Sequence, residues 1–155
     1  MKKVQRALNN KVPPPLVAAL CIWPVLFSAN YSLSSLRVDR VLASLLLLAA
    51  IAIAVLALLE FRKLKTTVNP LEFDNVNQLV VSGIFNFSRN PMYLSLLIVI
   101  IATAVAFHAY GVGVIMAGIF WLYMIQFQIK PEEAFLKQHF GSEYTAYSQV
   151  VRRWL

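Results

Sequence analysis

The chain has 155 residues, 59% of them hydrophobic and only 14% charged, with a mean hydropathy of +0.67. Soluble domains carry roughly half apolar and a quarter charged residues, so this composition disfavours a soluble enzyme and a disordered chain alike. The net charge of +7 lies beside long apolar runs, which points to anionic lipid headgroups and away from nucleic acid.

In chain order, a basic arm with Lys2, Lys3, Arg6 and Lys11 precedes a first apolar span over about 16–35, kinked at Pro24. A signal peptide competes for the same run. A cut after Ala29 would place Phe27 at its −3 position, where a small residue belongs, and Pro13–Pro15 also fits poorly. The second span, 41–61, would rise about 31 Å as a helix, roughly the hydrocarbon thickness of a bilayer. Met92 to Ile129 is too long for one crossing, and Tyr110–Gly113 divides it into spans over about 92–108 and 112–128 joined by a tight turn. All the cations except Arg37 and Arg40 fall on one side of this arrangement, so the positive-inside rule puts both termini in the cytoplasm. The expected fold is all-α: a single polytopic domain, 1–155, with four transmembrane helices and a cytoplasmic helical C-terminal region over 130–155. The small size suggests a bacterial inner membrane.

Polar chemistry is confined to Lys65–Tyr93 and Lys130–Leu155. In the first stretch, Asn69-Pro70 and Ser82-Gly83 signal turns, and Asp74, Asn75, Asn77 and Gln78 form a polar cluster. Asn90 caps and Pro91 opens the third span. Arg89, just outside that helix, either reaches lipid phosphates or binds an anion beside the helix N-terminus. In the second stretch, Pro131 with Glu132 and Glu133 reads as a helix start, and Gly141 as its stop. The two acids either complement the helix dipole or hold hydroxyls or an ammonium group. Tyr144, Tyr147, Val151 and Trp154 share one helical face, with Arg152 and Arg153 on headgroups. His108 reads as structural, His139 has no evident partner in sequence, and Cys21 packs in the first span. One cysteine and two histidines leave no metal-ligand set.

Taken together, LVVSGIFNFSRNPMYLS, an apolar hairpin and PEEAFLKQHFGSEYTAYSQVVRRW resemble integral membrane methyltransferases related to isoprenylcysteine carboxyl methyltransferase and the phospholipid N-methyltransferases. That pattern runs R-H-P-x-Y, a membrane hairpin, E-E-x-x-L, F-G and E-Y-x-x-Y. Arg89, Pro91, Tyr93, Glu132, Glu133, Leu136, Phe140, Gly141, Glu143, Tyr144 and Tyr147 match it. Asn90 stands where many members have histidine, so acid–base use of that position is in doubt.

The resemblance implies S-adenosylmethionine as cofactor and a lipid or lipid-like methyl acceptor, with membrane lipids as partners and no metal or nucleic acid. Arg89 and Glu133 are the expected catalytic residues. Gly83, Asn90, Tyr93, Glu132, Glu133, Phe140, Tyr144 and Tyr147 are the expected cofactor contacts. The rival readings are a non-catalytic protein that binds lipid or a partner, and a nicotinamide-dependent reductase on the same scaffold.

Overall fold

The computed structural model describes residues 12–29, 36–63 and 78–155. The basic N-terminal arm, the end of the first expected span at 30–35, the Asn69-Pro70 turn and the cluster Asp74, Asn75 and Asn77 lie outside these residues.

Helix α1, Pro14–Phe27, opens on a proline at its first turn, where the missing N–H costs nothing. Pro24 lies inside α1 without ending it. Helix α2, Leu36–Lys63, carries Asp39 in its first turn and Arg62 and Lys63 in its last, charges that suit the helix dipole at each end. Its seam is a column of buried small residues, Ala43, Ala50 and Ala57, spaced by seven, which lets α2 lie close along α3, Pro91–Ala106. In α3, the hydroxyls of Ser95 and Thr103 donate back to the carbonyls of Met92 (2.7 Å) and Val99 (2.8 Å), so neither is left unpaired among apolar side chains.

The hairpin expected from the sequence is present, but its turn falls at Phe107–Ala109 and not at Tyr110–Gly113. His108 adopts a positive φ of 54° there. Helix α4, Tyr110–Tyr123, then returns along α3. Gly113 meets Ala104 of α3 so closely that a Cβ on it would overlap the alanine methyl, whereas Gly111 faces open space. His108 Nδ1 lies 3.3 Å from Asp39 Oδ2 and 3.2 Å from the Tyr110 hydroxyl, tying the turn to the start of α2. Helix α1 packs against both α3 and α4. The main core joins Val17, Ala18 and Cys21 of α1, Ile100 of α3 and Phe120 of α4 to Met124 and Ile129.

Past α4 the helix does not stop. A π-helical stretch, Met124–Ile129, leads directly into α5, Lys130–Val150. Pro131 has no N–H, and its ring crowds the carbonyl four residues earlier. The widened π turn immediately before it relieves that conflict without breaking the helix. Gly141, at φ 53° and ψ −117°, kinks α5 where the sequence suggests a stop.

The expectation of four transmembrane helices with a separate cytoplasmic C-terminal region is therefore wrong. Among the described residues, two helices are long and apolar enough to cross a membrane, Val38–Lys63 and Tyr110–Val150. Helices α1 and α3, with 14 and 16 residues, would rise only about 21 and 24 Å, short of a hydrocarbon core of about 30 Å. The C-terminal stretch is the continuation of the second long helix. Both long helices leave most of their apolar side chains at least partly accessible, with Leu45, Leu48, Ile51, Val114, Ile115 and Leu122 exposed, unlike a core helix of a soluble protein.

Candidate active site

All the Asp, Glu, Lys and Arg residues of the Tyr110–Val150 helix lie from Lys130 onward, and the polar groups before α3 meet them there. Arg89 sits in the loop that delivers Pro91 to the start of α3. Its Nη1 donates to the Tyr144 hydroxyl at 3.0 Å and pairs with Glu133 Oε1 at 3.2 Å. Its guanidinium carbon is 6.0 Å from the centroid of the Tyr144 ring. The Arg89 and Glu133 side chains are largely buried, at 13% and 18% exposure. Arg89 Nε is buried and has no hydrogen-bond partner among the described residues, which is costly for a donor on a cation.

Glu133 also receives a two-pronged bond from Arg153, whose Nε and Nη2 lie 2.8 and 2.7 Å from its two oxygens. One carboxylate thus holds two guanidiniums. The bond to Glu133 pushes the Arg153 pKa above its ordinary value, against a smaller opposing effect of burial.

Arg153 reaches Glu133 because the chain leaves the helix at Val151, in an extended conformation, and runs back over the loop before α3. Arg89 N–H donates to the Arg152 carbonyl at 3.0 Å, while Ser88 Oγ and Asn90 Nδ2 donate to the Arg153 carbonyl at 3.3 and 3.0 Å. Asn90 does precede α3, but its side chain makes no cap bond; it is spent on the C-terminal segment.

One turn closer to the apolar half, Tyr93 donates its hydroxyl to Glu132 Oε1. The Tyr147 hydroxyl donates to the Phe85 carbonyl at 2.7 Å, and the Tyr144 and Tyr147 rings meet edge to face with centroids 6.3 Å apart. Arg89, Asn90, Tyr93, Glu132, Glu133, Tyr144 and Tyr147 are thus linked across the hairpin. The other two residues singled out in the sequence have different neighbours: Gly83 meets the carboxylate of Glu60, and Phe140 meets the ring of His139.

Sequence reasoning missed Ser88, Arg153, Trp154 and Glu60. In sequence Arg153 reads as a headgroup anchor beside Arg152; only the extended tail separates the two. Trp154 packs on the main core, and its Nε1 is buried without a partner among the described residues. Glu60 lies near the end of the second expected span, 41–61, where by sequence it is only a charge at the helix terminus. Among the described residues, no group of three or more His, Cys, Asp or Glu could hold a metal ion.

This is an all-α, strongly apolar chain in which an arginine loop and a glutamate pair from opposite sides of a helical hairpin form one polar cluster. The model of the phospholipid methyltransferase family matches residues 38–143, spanning the second helix, the arginine loop and the glutamate pair. The chain belongs to that family. It is also 47% identical over 66 residues to an uncharacterized protein of Haemophilus influenzae, covering 41% of this chain and all of that one. No solved structure matches.

Proposed function

We propose that the chain is an S-adenosylmethionine-dependent methyltransferase of a bacterial inner membrane, acting on a lipid or lipid-like acceptor. The family supports the chemistry. The observation that carries the reading is the Arg89–Glu133–Tyr144 cluster, because it leaves a buried guanidinium N–H without a hydrogen-bond partner among the described residues. A carboxylate fits that donor. The residues present therefore suit the methionine end of the cofactor. Glu132, bonded to Tyr93, offers a carboxylate for amino or ribose hydroxyl groups. Tyr144 and Tyr147 offer ring faces for the adenine.

S-adenosylmethionine supplies a methyl group already activated on a sulfonium. What the protein contributes is alignment and dryness. Glu133 and Tyr144 hold Arg89 in one orientation, and Arg153 fixes Glu133 from the other side. Asn90, tied to the Arg153 carbonyl, closes the loop over the cluster. A carboxylate acceptor, such as that of a prenylated cysteine, needs no base. An amine acceptor must shed a proton. The exposed apolar faces of α2 and α4 leave a lipid chain in contact with the bilayer. We place the Lys63 end of α2 at the cytoplasmic surface, on the strength of Arg62 and Lys63.

The test is labelled-methyl transfer by detergent-purified protein into a total lipid extract, paired with S-adenosylhomocysteine binding. Transfer into a lipid product is expected. Arg89→Ala should reduce it roughly 100-fold or more, and Glu132→Ala should abolish binding while the protein stays folded. Binding of NADPH in place of S-adenosylhomocysteine, or of neither, would overturn the proposal.

A further inference from the structure

Glu60 is buried, at 8% exposure, near the C-terminus of α2. A carboxylate is out of place there, because the helix dipole presents negative charge at that end. Lys63 pairs with it at 2.6 Å, but the lysine is 67% exposed, and such pairs are screened and weak. The pair does not account for the burial. The other contacts of Glu60 do. Ser82 Oγ donates to Glu60 Oε2 at 2.7 Å, across 22 residues of chain. Beside it, Gly83 adopts φ +60° and brings its Cα against the same carboxylate. A Cβ at Gly83 would lie 2.6 Å from Glu60 Oε1 and 2.7 Å from its carboxyl carbon. Glycine suits the backbone conformation here, and a methyl in its place would have to push the Glu60 carboxylate aside.

From this point the chain makes a 3₁₀ turn, Gly83–Asn86, and reaches Ser88 and Arg89 within six residues. Phe85 packs its ring edge to face on Phe61, one residue after Glu60, with centroids 5.4 Å apart. A small satellite core of Ala57, Val80 and Phe85, with Phe61, Ile84 and Met92 against it, joins the end of α2 to the start of α3. The Phe85 carbonyl in turn takes the Tyr147 hydroxyl. The loop that presents Arg89 is therefore held at one end by Glu60 of α2 and at the other by α5 and the C-terminal segment.

We propose that Glu60 is a positioning residue for the reaction: its buried carboxylate, seated on Gly83 and bonded to Ser82, fixes the turn that delivers Arg89 to Glu133 and Tyr144. Arg89 lies six residues beyond Gly83, so the carboxylate works through the loop and touches no reacting atom. The inference rests on the methyl-transfer reading given above.

Methyl-transfer rates and S-adenosylhomocysteine affinity are compared in wild type, Glu60→Ala, Glu60→Gln, Ser82→Ala and Gly83→Ala, with the folded fraction measured in each. Glu60→Ala should lower turnover roughly 10- to 100-fold per folded molecule, the scale expected when a reacting group is misplaced by about 1 Å. Glu60→Gln still accepts the Ser82 hydroxyl and should stay within about threefold of wild type. Ser82→Ala should fall between them. Gly83→Ala should be impaired as well, and its defect combined with Glu60→Ala should be smaller than the product of the two, because the missing carboxylate removes the clash. Equal turnover in wild type and Glu60→Ala, or equal loss in Glu60→Ala and Glu60→Gln, overturns the proposal. Should wild type transfer no methyl group, the methyl-transfer reading fails on its own. Amide hydrogen exchange over Ser82–Arg89 then decides the positioning separately: faster exchange in Glu60→Ala supports it, and unchanged exchange sinks it.

Discussion

Arg153 shows how much one side chain depends on where the backbone turns. In sequence it is half of an Arg-Arg pair beside a tryptophan, a pattern suited to a lipid surface. In the structure it grips Glu133 with both prongs. Arg153→Ala should lower stability by about 1 kcal/mol, a modest figure because the side chain is 42% exposed. Arg153→Lys should restore little of it, since an ammonium lacks the planar fork that engages both carboxylate oxygens. Denaturant titration of the three proteins checks this ordering. The pH dependence has a definite sign. A cation whose folded pKa is raised contributes fully below its unfolded value and loses that contribution only as pH climbs through the folded one. The stability difference between wild type and Arg153→Ala should thus show no loss from the arginine between about pH 7 and 10. A decline across that window would mean that another group controls the pair.

At the scale of elements, two glycines two residues apart in α4 have opposite roles. Gly113→Ala places a methyl on that of Ala104, an overpacking that should cost roughly 1–3 kcal/mol in unfolding experiments. Trimming the partner, in Gly113→Ala with Ala104→Gly, should recover much of the loss. Gly111→Ala meets nothing and should be neutral or stabilising by up to about 1 kcal/mol, the helical preference of alanine over glycine. The helices themselves were legible from apolar run length, and the start of α3 from Pro91; the start of α1 at Pro14 was not. Their ends were less so. The turn belongs to His108, which is no turn former by type, and Pro131 reads as a helix start because the π stretch that absorbs it has no sequence signature.

For the whole molecule, α1, α2 and α4 expose apolar side chains, the surface that the proposed membrane location would turn toward lipid. Trp23 is 73% exposed on α1, whereas Trp154 packs on the main core. In vesicles with brominated acyl chains, the fluorescence of Trp23 should be quenched and that of Trp154 spared, which single-tryptophan variants can resolve. The reverse pattern would mean that α1 does not face the bilayer. The count of four crossings failed at this scale, because hydropathy measures how apolar a run is, while helix length decides whether it reaches across.

By itself the sequence determined the apolar, helical character of the chain, the hairpin between its two polar stretches and the residues carrying the family pattern. These depend on composition and short-range spacing, which a linear text preserves. Only the tertiary structure decided that α1 and α3 are short, that the C-terminal stretch continues a long helix, and that Glu60 and Arg153 are partners of the arginine loop. Those facts depend on which distant groups meet. A buried charge finds its counterpart through the path of the backbone, and residues 60, 83, 89, 133 and 153 share no spacing that would announce it.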